Sequence, residues 1–318
     1  MANHLTLFGS TDMYATGHQA LVNAQKLIAT LIETYEFERL KRISFLGAVD
    51  LVNRQKSSQS TFQFTRADHT LGVCELALRF IDVAKIGEFD ALLIAATAVC
   101  HDMGHSAFSH SLEHAIRSKN PSISHKEVIA HILLENDSDT GTVLDNFNIP
   151  RERVLALATG DKRENFNWLF HGKINIDTLD GIYRFLQSFM YYAPFSPTSI
   201  TDTLSIIYQE KWVNSERVKE MDSFWEIKAG FYEEFLVRGF YADFERSFVE
   251  YMRQHFGGSS LKDFYFTEDE VLSITEYDFD KYEPKSFPTE KRQRFSIDRT
   301  VNIRQLSDLE NRYIRIKR

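Results

Sequence analysis

Cysteine is nearly absent from this chain of 318 residues, which has only Cys74 and Cys100, each inside an apolar helical pattern. Two such thiols read as small buried hydrophobes, which argues against a disulfide scaffold and for a reducing compartment. Proline is scarce at six, leaving room for long uninterrupted helices. No apolar run approaches the roughly 18 residues a membrane span needs. Met1-Ala2-Asn3-His4 lacks the charged start and apolar core of a secretory leader, so a cytoplasmic location is expected. Positive charge is not in excess. A net charge of −8 and a pI near 5.8 argue against general coating of nucleic acid. The locally basic end, with Lys291, Arg292, Arg294, Arg312, Arg315, Lys317 and Arg318, reads as a solvated tail. Apolar residues are plentiful at 43%, with 26 phenylalanines, the composition of a chain folding around a large core.

Into the end of the most apolar stretch, Ala91 to Cys100, the sequence places His101-Asp102. An imidazole and a carboxylate there need partners or a ligand, since burying them unpaired costs several kcal/mol. Met103-Gly104-His105, Phe108-Ser109-His110 and Glu113-His114 follow, with His69 upstream and Asp177 downstream. The ordered set His69, His101-Asp102, Asp177 offers two imidazoles and two carboxylates. That donor set suits one divalent ion such as Mn, Mg, Fe, Ni, Co or Zn, with positions left for water and a phosphoryl oxygen. Ligands so far apart in sequence must converge from separate helices, as metal sites in helical bundles do.

Several segments together resemble the HD-domain phosphohydrolases, and within them the deoxynucleotide triphosphohydrolase branch. They are Phe37-Glu38-Arg39-Leu40, Thr65-Arg66-Ala67-Asp68-His69, the ten residues His101 to His110, Ile176-Asp177-Thr178-Leu179-Asp180 and, weakly, Thr267-Glu268-Asp269. The resemblance covers about residues 35–275 and implies His69, His101, Asp102 and Asp177 as metal ligands. It also implies Arg66 with His105 or His110 on phosphate oxygens, Arg66 through its planar fork. His125 would protonate the leaving oxygen, with Glu113 orienting it. Asp180, one helical turn after Asp177, would face the substrate or orient a ligand, and Lys228 would sit near a phosphate. Position 126 is Lys where the family has an acid, so Glu127 would substitute only through a shift of geometry. His114 reads as solvated and His131 as structural.

The departures concentrate around the expected sugar and phosphate pocket. The family's glutamine is Phe45 here, its tyrosine is Gly181, its second acid is Phe185 and its lysine after the last metal aspartate is Thr178. A site that reads a hydroxyl through hydrogen bonds discriminates strongly, and apolar replacements abolish that reading. The expectation is intact hydrolytic machinery with altered substrate preference.

Periodicity predicts an all-α core over residues 1–258 and a small α+β appendage over 259–318. Helices are expected over Gly17–Glu36, His69–Ala84, Asp90–His101 with Asp90 as cap, His110–Ser118, Ser124–Glu135, Arg151–Gly160 and Asp177–Phe189. Asn136 to Gly141 reads as a polar loop and Tyr191 to Pro197 as a break. Aromatics such as Phe224, Trp225, Phe244 and Phe248 read as core or subunit interface. Functionally, the sequence supports a nucleotide phosphohydrolase that releases nucleoside and triphosphate. The alternatives are a phosphatase or phosphodiesterase acting on a monophosphate, signalling nucleotide or oligonucleotide, and a non-catalytic nucleotide sensor. A homo-oligomer is expected, with room for a regulatory nucleotide. Nothing points to a membrane or to nucleic acid.

Overall fold

A computed structural model describes residues 19–56, 63–135, 137–189, 191–237, 239–278, 285 and 293–317. Met1 to His4, Gly17, Asn136 and the basic positions Lys291, Arg292 and Arg318 lie outside them. The centre of the fold is the helix Glu88–Cys100, whose inward residues from Ala91 to Cys100 are almost wholly shielded from solvent. Burial of each of its Leu, Ile or Val side chains contributes about 1.5–3 kcal/mol. The helices Gln19–Leu31 and Arg66–Ala84 pack against it, and Arg66–Ala84 in turn carries Ile176–Ser188 and Pro197–Tyr208 on its other faces. Phe240–His255 lies along His110–Lys119.

The appendage is an antiparallel pair, β1 (Gln293–Ile297) and β2 (Tyr313–Lys317), with Phe295 opposite Arg315. The pair rests on the helix Ser215–Phe231 through Trp225, whose ring meets Phe295 and Tyr313. The aromatics Phe224, Trp225, Phe244 and Phe248 are core residues. No helix among the described residues is long and apolar enough to cross a membrane.

Four boundaries differ from the sequence reading. The first helix ends at Leu31, and a separate turn, Tyr35–Glu38, follows Thr34. The helix carrying His69 starts at Arg66, because Thr65 and Asp68 form a reciprocal capping box. Gly87, not Asp90, caps the helix that leads to His101, and Asp90 joins Glu88 in the first turn, where negative charge suits the helix dipole. A helix, Asp139–Asn146, begins within the supposed polar loop and runs past it, and the side chain of its N-cap Ser138 accepts from the Gly141 amide. The aromatics Phe224, Trp225, Phe244 and Phe248 come from two helices, Ser215–Phe231 and Phe240–His255, with a π-helical turn Tyr232–Val237 after the first.

Candidate active site

Three elements bring the H…HD…D set together. Arg66–Ala84 presents His69 in its first turn, Glu88–Cys100 delivers His101-Asp102 at its C-terminal end, and Ile176–Ser188 presents Asp177 in its first turn. Both arrangements suit helix dipoles: a carboxylate at an N-terminus, and a cation held beside a C-terminus. The donor atoms of His69, His101 and Asp177 all lie within 4.8 Å of one another. Asp102 closes the group, with its oxygens 3.6 Å from His69 Nε2 and 3.6 Å from His101 Nε2.

The protonation pattern fits a cation. His101 Nδ1 donates to the Ala98 carbonyl at 2.9 Å, which leaves Nε2 as a buried lone pair with no hydrogen-bond partner. His69 Nδ1 bonds Asp180 Oδ2 at 2.7 Å, which turns its Nε2 toward Asp177 at 3.1 Å. Burial opposes a charge on His69, yet its bonds to Asp177 and Asp180 raise it to about 9. A divalent ion would take the place of that proton. Asp180 therefore orients His69 and does not line the cavity that opens onto this group, and Arg184 Nε donates at 2.7 Å to the same Asp180 Oδ2.

Asp102 joins this quartet to a second cluster. Its Oδ2 receives Arg66 Nη1 at 2.9 Å and its Oδ1 receives His105 Nε2 at 3.1 Å. Burial favours a neutral Asp102, but His101, Arg66 and His105 hold it well below the ordinary carboxylate range. Burial and then Arg66 drive His105 down, so it is a neutral imidazole. His105 stacks on His125 with centroids 4.9 Å apart and meets His110 edge-on at 4.5 Å. Donor atoms of His105, His110, Glu113 and His125 again lie within 4.8 Å of one another. Glu113 Oε2 accepts from His125 Nδ1 at 3.0 Å. Burial opposes ionisation of Glu113, and hydrogen bonds from His110 and His125 overcome it, so the carboxylate stays charged. Glu127 instead pairs with Ser124 of its own N-cap and does not reach His125's partner position. His114 is exposed at the cavity rim, and His131 is exposed and bonded to Glu135 on its own helix.

The loop between the two clusters is shaped by contacts that no local pattern announces. Arg39, half-buried, donates to the carbonyls of Met103, His105 and Phe264. Phe108 and Ser109 both take φ of +53°, a left-handed conformation that costs on the order of 1–3 kcal/mol each for such residues. Ser109 is held there by donating to the Ser44 carbonyl at 2.7 Å and accepting Arg66 Nε at 2.8 Å. Glu268, from the weak late motif, accepts from the Ser44 amide, the Ser44 hydroxyl and the Phe108 amide. Gly104 has its own requirement: a Cβ there would lie 2.0 Å from the His125 carbonyl oxygen and 2.9 Å from Ile129. Gly104→Ala is expected to displace the helix bearing His125 and to cost about 1–3 kcal/mol. Calorimetric melting of the variant checks this, and an unchanged melting temperature would show that the helix yields freely.

A cavity of about 1130 Å³ opens onto the quartet. Arg66, His69, His110 and Asp177 line it, while His101, Asp102, His105, Glu113 and His125 do not. Its walls include Phe45, Phe185, Phe231 and Tyr232. Phe45 lies 5.0 Å from the His69 ring and 5.3 Å from the Arg66 guanidinium carbon. At Gly181 a Cβ would stand 3.7 Å from His69, so the glycine leaves space beside the metal centre. Lys228, expected near a phosphate, lines a different cavity on the far side of Asp177-Thr178. It donates there to the Lys173 carbonyl at 2.9 Å and the Thr178 hydroxyl at 3.3 Å. Helical spacing alone does not reveal which side of Ile176–Ser188 its helix approaches.

Sequence reasoning missed Glu245, which faces the main cavity and accepts from the Ser111 hydroxyl at 2.9 Å. Burial pushes it up to about 7 from an ordinary 4.5, with Ser111 pulling only weakly the other way. A raised carboxyl contributes stability below pH 4.5 and loses it as the pH rises through about 7. Glu245→Gln should therefore match the wild type in acid and exceed it above pH 7 by on the order of 1–2 kcal/mol. Denaturant melts at pH 4.5 and 8 measure this, and equal gaps at both pH values would exclude a buried proton on Glu245.

Comparison with known proteins adds the following. Residues 66–163 match the family model described as HD domain. The uncharacterized protein YwfO of Bacillus subtilis is 30% identical over 186 residues, 56% of this chain and 39% of that protein. The deoxynucleoside triphosphate triphosphohydrolase SAMHD1 of Bos taurus is 29% identical over 167 residues, 46% of this chain and 27% of that protein. The matched stretches thus span well under half the length of these relatives. A crystal structure of a hypothetical protein from Aquifex aeolicus superposes with a TM-score of 0.63 at 19% identity, covering 80% of this chain and 68% of that one, a likeness of fold.

Proposed function

We propose that this chain, whose residues 66–163 match the HD domain, is a metal-dependent phosphohydrolase that cleaves deoxynucleoside triphosphates to nucleoside and triphosphate with one divalent ion. The observation that carries the reading is the continuity of the two clusters. Asp102 touches Arg66 and His105 while standing 3.6 Å from both metal-facing imidazole nitrogens. His69, His101, Asp102 and Asp177 would hold the ion, which supplies Lewis acidity to a phosphoryl oxygen and lowers the pKa of water.

The chain's own groups do the rest. Arg66, fixed by Ser109 and Asp102, lines the cavity and would take a phosphate oxygen, and His110, which lines the same cavity, would be a second phosphate contact. His105 backs His110 and Asp102 and sets their spacing. His125, with Nδ1 held by ionised Glu113, keeps Nε2 for a proton delivered to the leaving 5′ oxygen. A cavity of about 1130 Å³ is large enough for a nucleotide, and its aromatic walls suit a planar base.

Hydrolysis in 18O-labelled water tests the bond that breaks. Attack at the α-phosphorus carries the label into triphosphate, whereas label in orthophosphate or pyrophosphate would contradict the reading. A second reading, cleavage of another nucleotide phosphoester by the same residues, draws support from Phe45, Gly181 and Phe185, which provide no hydrogen bond to a sugar hydroxyl.

A further inference from the structure

The second cavity, of about 860 Å³, is bounded by the short helix Asn167–His171 and the loop after it, the helix Ser215–Phe231, and residues Glu310 and Arg315 near the C-terminus. Its charged lining is Lys162, Arg163, Lys173, Lys228 and Arg315 against Glu164 and Glu310. The acids are partly committed already: Glu164 to Arg153 at 2.6 Å, and Glu310 to Lys173 at 3.8 Å. Arg163 is bridged to Asp161. The remaining balance is positive, in a chain whose net charge is −8.

Lys228 is the centre of that imbalance. It is 3% exposed, and both of its hydrogen bonds go to neutral oxygens, the Lys173 carbonyl and the Thr178 hydroxyl. The rings of Trp225 and Phe224 lie 5.5 and 5.8 Å from its nitrogen. Burial first, then Arg315 and Lys173, lower it to about 7 against the pull of Asp177. A buried ammonium set among other cations and neutral acceptors is undercompensated, and a bound anion offsets that cost. The guanidinium carbon of Arg315 lies over the Tyr232 ring, 4.4 Å from its centroid, a contact that limits where its donors can go.

We propose that this cavity is a second binding site, for an oxyanion of the phosphate class. It communicates with the metal centre through Thr178, whose hydroxyl Lys228 holds and whose neighbour is Asp177. The proposal does not depend on which substrate the first cavity takes. The phosphate group has two possible sources: a small phosphorylated effector, or the distal phosphates of a substrate already held at the metal.

The chain carries three tryptophans, and two of them, Trp168 and Trp225, line this cavity while the third, Trp212, is exposed and none lines the first cavity. Tryptophan emission therefore reports on it selectively. In the full chain with Trp212→Phe, titration with inorganic phosphate and with pyrophosphate should give a saturable change. Lys173→Ala and Arg315→Ala should each weaken the apparent affinity about tenfold, and Lys228→Met should weaken it further, while Arg66→Ala leaves it unchanged. Lys173 and Arg315 lie toward the rim, so the test stands even where Lys228→Met fails to fold. Competition by a non-hydrolysable nucleoside triphosphate against saturating phosphate assigns the site to the substrate's tail, and independent binding assigns it to a separate effector. The absence of a saturable change, a change that survives all three cavity substitutions, or one lost instead in Arg66→Ala, overturns the proposal.

Discussion

Asp102→Asn is expected to lower turnover by on the order of 10³-fold, about 4 kcal/mol of transition-state stabilisation. The substitution keeps the shape of the side chain and removes its charge. That charge sits where the two halves of the site meet: it receives Arg66 at 2.9 Å and His105 at 3.1 Å and lies 3.6 Å from the nitrogens of His69 and His101. An amide is a poor ligand for a divalent ion, so metal content should fall with activity. It also leaves Arg66, which is 7% exposed, facing an uncharged partner. Breaking one side of a buried pair costs about 3–5 kcal/mol, so melting temperature should fall too. Metal analysis of the purified variant, alongside its initial rates, separates the effects. A variant that keeps one bound ion and most of its rate would remove Asp102 from the ligand set.

His125→Asn is expected to behave differently. It removes the proton donor while leaving the quartet untouched, since His125 contacts Glu113, His105 and His110 and none of the four proposed ligands. Turnover should fall about 10²–10⁴-fold, the range for loss of a general acid, with metal content and KM nearly unchanged. Glu113→Gln should cost less, about 10–100-fold, because it loosens the orientation of His125 without removing the ring. Steady-state kinetics with metal analysis checks both. A His125→Asn variant with normal kcat and raised KM would make His125 a binding residue.

The convergence of His69, His101, Asp102 and Asp177 was readable in the sequence because these residue types are costly where they occur. His101-Asp102 ends a helix with scarcely an exposed side chain, and only a partner or ligand justifies two polar groups there. His69 and Asp177 were readable from the motifs around them. Most of the helices around the site followed from their spacing. What escaped rests on contacts between distant segments. Arg39 stood in a matching segment with no role of its own until its guanidinium met the carbonyls of Met103 and His105. Glu268 stands 224 positions from Ser44, which it holds. Ser109's left-handed backbone is imposed by Ser44 and Arg66, not by its own type. The helix Asp139–Asn146 was hidden by polar and glycine residues of low helix propensity, and its cap at Ser138 outweighs them. Lys228 was placed near a phosphate only by the family resemblance, and tertiary packing turned it into the other cavity.

The most direct test of the account is product chromatography after incubation with each dNTP, NTP and NMP in Mg²⁺, Mn²⁺ or Co²⁺, beside Asp102→Ala as control. The account predicts deoxynucleoside and triphosphate from at least one dNTP, lost in the variant and on chelation. Orthophosphate from a monophosphate with no triphosphate from any dNTP, or the same products from wild type and variant, would contradict it.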